Sequence, residues 1–252
     1  VVVAAPDQEY SGAGAAIGAL HIIQPEVQRR HIEGIDTAWA VTGPPALCVF
    51  FARLGVYGPQ FDLVVSGINP GANVGRAVYH SGTVGAAITA RNGGISGIAI
   101  SQAVTGFGVE GQGWDDALKG QMWDSAATVA QSVVEGWIAD RPKEAVVINV
   151  NVPNCAVSEM KGWRRTDIGH VVTRAMAGAE LEPKEGHDGA FYVRMTYGDT
   201  IQMPGETDGG AVENGEVAIT YIGRFNDVPS QGSAAVNDAL TTLVGQANTL
   251  HS

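Results

Sequence analysis

Hydrophobic positions along the chain fall into short runs separated by glycine- and proline-rich turns, the rhythm of strands interleaved with helices. Val1 to Ala5 is apolar throughout and predicts a buried parallel strand, stopped at Pro6-Asp7. Phe61, Leu63, Val64 and Val65 predict a second strand that breaks at Ser66-Gly67, and Ile95 to Ser101 and Ala145 to Val150 predict two more. Ala46 to Leu54 reads as a buried helix with Cys48 in the core, and Val84 to Arg91 as an alanine-rich one. Met122 to Ile138 carries Met122, Ala126, Val129, Ala130, Val133, Val134 and Trp137 at three- and four-residue spacing, which predicts an amphipathic helix. Ile17 to Ile23 and His31 to Trp39 alternate, predicting antiparallel strands that flank the main sheet. Thr105 to Gly120 is glycine-rich and predicts a surface loop, either an ordinary insertion or a lid.

The pattern changes after about residue 155. Lys161 to Tyr221 holds alternating short strands, Phe191 to Met195 the clearest, with many glycines and no long helix. This predicts a β-rich extension, and Ser233 to Leu250 predicts a terminal amphipathic helix. The expected organisation is one α/β domain over 1–252, with a core at 1–155 and the extension plus helix at 156–252.

Composition narrows the function. A formal charge of −11 repels the backbone of a nucleic-acid polymer, and it equally disfavours a small phosphate ester unless a cation sits in the site. No apolar run approaches the ~18 residues of a membrane span. Cys48 and Cys155 are too few for a disulfide framework, which suits a reducing, cytoplasmic setting. The six histidines show no HxxxH or HExxH pairing, which argues against zinc.

The chemistry concentrates in Phe61 to Arg91. Strand, glycine loop and helix N-terminus are the parts an α/β protein uses to hold an anion beyond the carboxyl end of its sheet. Asn69 and Asn73 sit among glycines; a carboxamide oxygen can ligate Mg²⁺, and its NH₂ can donate to phosphate. Ser81 is a natural N-cap, so amides near Gly82, Thr83 and Val84 face outward at the positive end of the helix dipole. His80 beside the turn is either a general acid or a satisfied structural histidine. Ser11, after the first strand, reads by itself as a turn hydroxyl bonding its own backbone.

PDQEYSGAG after a strand, FDLVVSGINPGANVG, YHSGTVGAA, INVNVP and TDGGAVENGEVAITYI, in this order, resemble the SurE family of metal-dependent nucleotidases. The resemblance runs from Val1 to about Ile222. It implies a Rossmann-like three-layer α/β core, a β-rich extension, and C-terminal elements exchanged in a homodimer or homotetramer. It further implies a divalent cation, Mg²⁺ or Mn²⁺, and hydrolysis of nucleoside 5′- or 3′-monophosphates to nucleoside and phosphate. By position, Ser11 and Asn69 become metal ligands; Asn73, Ser81, Gly82 and Thr83 hold the phosphate; and Gly12 and His80 line the same pocket. Asn69, Ser81 and Thr83 are the expected catalytic contributors.

One departure stands against this. The family's first strand ends in Asn-Asp-Asp-Gly, whose aspartates are its main metal ligands, and the motif is nowhere in this chain. Without a starting methionine, and beginning already inside an apolar strand, the sequence predicts further residues upstream. The alternatives are a metal-free nucleotide- or phosphate-binding protein without catalysis, and a phosphatase for another small phosphate ester.

Overall fold

The computed structural model describes residues 1–22, 24–105, 114–170, 174–224 and 234–244. Residues Val1–Ile222 form one compact unit and Gly223–Ser252 a second. Within the first, β4 (Leu63–Pro70), β5 (Ser96–Gln102), β6 (Val147–Val152), β10 (Val217–Ile222) and β7 (Trp163–Arg165) form one sheet in that order. β4, β5 and β6 run parallel, whereas β10 is antiparallel to β6.

Side-chain alternation in β5 and β6 builds the layers. Ile98, Ile100, Ile148, Val150 and Val152 face α4 (Trp123–Ala139), packing against Ala126, Val129, Val133 and Trp137. Ala99 and Val147 face the other way, onto Val84, Ala87 and Ile88 of α2 (Gly82–Asn92). Helix α2 is therefore covered on all sides, as its small, apolar sequence requires, with residues 84–91 buried throughout. Helix α1 (Pro45–Arg53) packs Val49 on Ala86 and Ala90 of α2. Through Leu47 and Cys48 it also holds a smaller sheet, in which β3 (Ile35–Val41) lies between β1 (Val3–Pro6) and β2 (Val27–Ile32). The result is the expected three-layer α/β core.

Beyond it, β8 (Arg174–Pro183) and β9 (Phe191–Thr200) form a two-stranded antiparallel ribbon with Leu181, Tyr192 and Val193 exposed. A short helix, α5 (Asp208–Glu213), precedes β10. Helix α3 (Trp114–Leu118) begins inside the expected Thr105 to Gly120 loop, whose residues 106–113 lie outside those described. In the second unit, α6 (Ala234–Val244) occupies part of the predicted terminal helix; the remainder lies outside the described residues.

Two expectations are corrected. Residues 17–22 form no strand: Gly18 turns the chain with a φ of +75°, and strand structure begins at Val27. The antiparallel pair is β2 with β3, one element later than the alternation suggested. The strand starting near Phe61 also does not stop at Ser66-Gly67; it continues to Pro70 through a register shift between Ser66 and Asn69. Gly67 makes this passable. Its φ is +123°, and a Cβ there would overlap Ile100 O of the neighbouring strand.

Candidate active site

The extension of β4 carries Asn69, paired with Ser101 of β5, to the C-terminal edge of the sheet, where a cavity of about 740 Å³ opens. Ser11, Gly12, Asn69, Asn73, His80, Ser81, Gly82 and Thr83 all line it, so residues far apart in sequence converge on one cleft. Pro6, Gln8, Glu9, Tyr10, Pro45, Pro70 and Ala77 complete the wall.

At its base lies the N-terminus of α2. Ser81 is buried, and its hydroxyl accepts the Val84 amide at 3.1 Å. That bond takes Val84 out of the expected set of outward amides, because the cap satisfies it. The amides of Gly82 and Thr83, which no turn of helix precedes, are the open donors at the positive end of the dipole. The backbone around the cap is fixed from the far side by Gly14, whose amide donates to His80 O at 3.0 Å. The His80 side chain is exposed, makes no hydrogen bond among the described residues and lines the cleft.

Asn73 is anchored below the loop. Its amide donates to Asn151 Oδ1 at 2.7 Å, and its carbonyl accepts Asn149 Nδ2 at 2.9 Å and Asn151 Nδ2 at 3.2 Å. Its own Nδ2 donates to Ser101 Oγ at 2.7 Å. All four residues are buried. This network spends one of the two Asn73 side-chain protons on the scaffold, leaving at most one for a ligand.

Two residues on, Gly75 opens a 3-10 turn (Gly75–Tyr79), and its amide donates to Asp208 Oδ2 at 2.9 Å. Asp208 is fully buried, and its other oxygen accepts Gly169 N at 2.9 Å and Gly209 N at 2.8 Å. A carboxylate holding three main-chain donors thus ties the start of α5 to the loop that carries His80 and Ser81. Neither Asp208 nor the Asn149–Asn151 pair is a site residue by motif. The sequence signals for the asparagines are their place in the INVNVP segment and their period-two placement in an otherwise apolar strand, and neither assigns them a role.

On the opposite wall, Glu9 Oε1 accepts both the amide and the hydroxyl of Ser11, each at 2.7 Å. These bonds, the hydroxyl's first, hold the Glu9 carboxyl below its ordinary value. Ser11 therefore donates its O–H hydrogen bond to Glu9 and keeps its lone pairs for another partner. Asn69 donates Nδ2 to Pro70 O at 3.0 Å and to Gly71 O at 2.7 Å, leaving Oδ1 as its acceptor. The described residues contain no cluster of three or more His, Cys, Asp or Glu side chains able to hold a metal. Two neutral oxygens with Glu9 nearby are the right kind of donor for a hard cation, and they supply little of the charge Mg²⁺ leans on.

An α/β core with a cleft at the capped N-terminus of a buried helix is the class these features define. A sequence profile described as Survival protein SurE matches residues 1–175, and the chain belongs to the SurE family. A protein named 5′-nucleotidase SurE from Haemophilus influenzae (strain PittGG) is 32% identical over 225 residues, spanning 88% of this chain and 80% of the relative. Another of that name, from Histophilus somni (strain 2336), is 32% identical over 222 residues with the same coverage of 88% and 80%. The crystal structure of SurE protein from Aquifex aeolicus is similar at a TM-score of 0.66 and 28% identity, covering 96% of this chain and 88% of that one.

Proposed function

We propose that this protein is a phosphomonoesterase that hydrolyses nucleoside 5′- or 3′-monophosphates, as a 5′-nucleotidase does. The observation that carries the reading is the convergence of Ser11, Asn69, Asn73 and the Ser81–Thr83 turn on one cleft. The family and the names of the relatives point the same way.

In this reading the phosphoryl group sits at the N-terminus of α2. The Gly82 and Thr83 amides and the Thr83 hydroxyl donate to its non-bridging oxygens, where charge is spread in the transition state. The second Asn73 side-chain proton reaches the same group, held in place by the buried asparagine network. Gly12 lets the facing backbone come close. His80, exposed beside the cap, is positioned to give a proton to the departing nucleoside oxygen. We assign Ser11 and Asn69 to a divalent cation, Mg²⁺ or Mn²⁺, which would supply Lewis-acid polarisation of a phosphoryl oxygen. Because both ligands are neutral, binding it calls for added negative charge, part of which the substrate phosphate itself brings. The free cysteines fit a cytoplasmic enzyme, and the exposed apolar β8–β9 ribbon fits a homodimer or homotetramer. No helix among the described residues is long and apolar enough to cross a membrane.

Phosphate release from a panel of nucleoside monophosphates, with Mg²⁺ or Mn²⁺ and with EDTA, tests the reading beside Asn69→Ala. The expected result is turnover that needs the metal and falls by about 10²-fold or more in the variant. Full activity in EDTA, or an unimpaired variant, would sink the metal assignment. Phosphate or nucleotide binding without turnover under every condition would favour the metal-free binding protein instead.

A further inference from the structure

The phosphate end of the cleft is accounted for above, but a cavity of about 740 Å³ is far larger than a phosphoryl group. The rest of its wall is chemically specific. Pro6, Pro45, Pro70 and Ala77 are apolar, and Tyr10 is the one Phe, Tyr or Trp residue among the lining residues. Among the described residues no lysine or arginine lines the cleft, Glu9 is its acidic member, and the chain as a whole carries −11. An anion entering such a field gains little from long-range attraction. A substrate held here must therefore draw part of its binding from its neutral portion.

We infer that Tyr10 is a specificity-determining residue of the cleft, the platform on which the nucleobase of a nucleoside monophosphate stacks. The inference rests on the phosphatase reading for what occupies the other end. Three features suit Tyr10 to the role. Its hydroxyl accepts Gln8 Nε2 at 3.0 Å, which restrains a side chain that has only two torsions to lose. Its carbonyl accepts the Ala13 amide at 3.1 Å, closing the turn that carries Ser11 and Gly12. That same carbonyl lies 3.8 Å from where a Cβ on Gly82 would stand, so the residue abuts the phosphate-holding turn itself. Base and phosphate sites are thus built from adjoining backbone. Every base has a π-face, so stacking tolerates all of them; the cleft is expected to prefer nucleotides over base-less phosphate esters while choosing weakly among bases.

The test compares AMP and UMP with ribose 5-phosphate, which has the same ester and no base, across wild type, Tyr10→Ala and Tyr10→Phe. Adenosine binding is measured alongside by calorimetry. For Tyr10→Ala the expectation is a drop in kcat/KM for both nucleotides of about tenfold or more, and loss of adenosine binding. Ribose 5-phosphate should change by less than about twofold, which also reports that the variant is folded. Tyr10→Phe, which keeps the ring and loses the Gln8 bond, should stay within about threefold of wild type for AMP. An equal fall on all three substrates would mean that Tyr10 shapes the loop and not the base site, overturning the inference. So would a wild type that turns over AMP and ribose 5-phosphate equally well, with the phosphatase reading left standing. Conversely, if no ester is cleaved yet adenosine binds wild type and not Tyr10→Ala, the phosphatase reading falls and the base platform holds.

Discussion

Replacing Asp208 by Asn changes one atom of a side chain that never touches solvent, and the structure sets what that should cost. The carboxylate accepts from Gly75, Gly169 and Gly209 at 2.8 to 2.9 Å, and it is fully buried. A carboxamide keeps one acceptor oxygen. Turned toward Gly169 and Gly209, it retains two bonds and presents its NH₂ to the Gly75 amide, donor against donor. One charge-assisted bond is lost and a buried N–H is left without an acceptor, each costing about 1.5–3 kcal/mol. Removing a buried charge returns part of this. The net expectation is a destabilisation of about 2–4 kcal/mol, seen as a lower urea midpoint at unchanged m. Amide exchange sharpens the test. In wild type Gly75, Gly169 and Gly209 should exchange only through large openings, and in Asp208→Asn Gly75 should become fast before the other two. Gly75 opens the turn that leads to His80 and Ser81, so inorganic phosphate should bind the variant more weakly as well. A stability change under about 0.5 kcal/mol, or three amides that stay equally protected, would refute the account.

Two further predictions rest on packing. Ala at Gly85 should favour helix α2 by about 1 kcal/mol on propensity, yet its Cβ would overlap Gly14 O. Gly85→Ala should therefore destabilise by about 2 kcal/mol or more in urea unfolding, and a stabilised variant would show that the Gly14 turn yields freely. Burial pushes the Cys48 thiol up to about 12, so at pH 8 it stays protonated and enclosed. Titration of the folded protein with a disulfide reagent should find the half-buried Cys155 and reveal Cys48 only in denaturant. Native reaction at both would contradict the burial, and Cys48→Ser should leave the native titre unchanged.

What the sequence disclosed and what it hid divide along physical lines. Strands β5 and β6 and helix α4 were legible because their partners are the solvent-free layers on either side, so burial writes itself into the apolar pattern. The cap at Ser81 was legible because capping is local, acting over three residues. The fate of β4 was not, since whether a chain passes Gly67 as a bulge depends on Ile100 O in another strand. Nor was the shift of strand structure from Ile17 to Val27, because alternation does not say whether a pairing partner exists.

The same division runs through the site, and it explains why motif residues are half of it. Ser11, Asn69 and Ser81 to Thr83 stand in loops rich in glycine and small polar residues, where a sequence reader looks for chemistry. Asp208 lies 133 residues from the Gly75 amide it holds, in the TDGG stretch, where no site role follows from the sequence. Glu9 had no assigned role until the structure showed it accepting the Ser11 hydroxyl hydrogen bond. The asparagines of β6 occupy the middle ground. Asn149 and Asn151 fall on alternate positions of a strand whose every residue is buried. A buried amide must find partners, and two on one face of a parallel strand imply a loop lying across that face to be bonded. That loop is the one carrying Asn73. The buried amides of β6 therefore already point to the Asn73 loop from beneath, and a polar residue at an interior position of a central strand is as much a sign of the candidate site as the glycine loop above it.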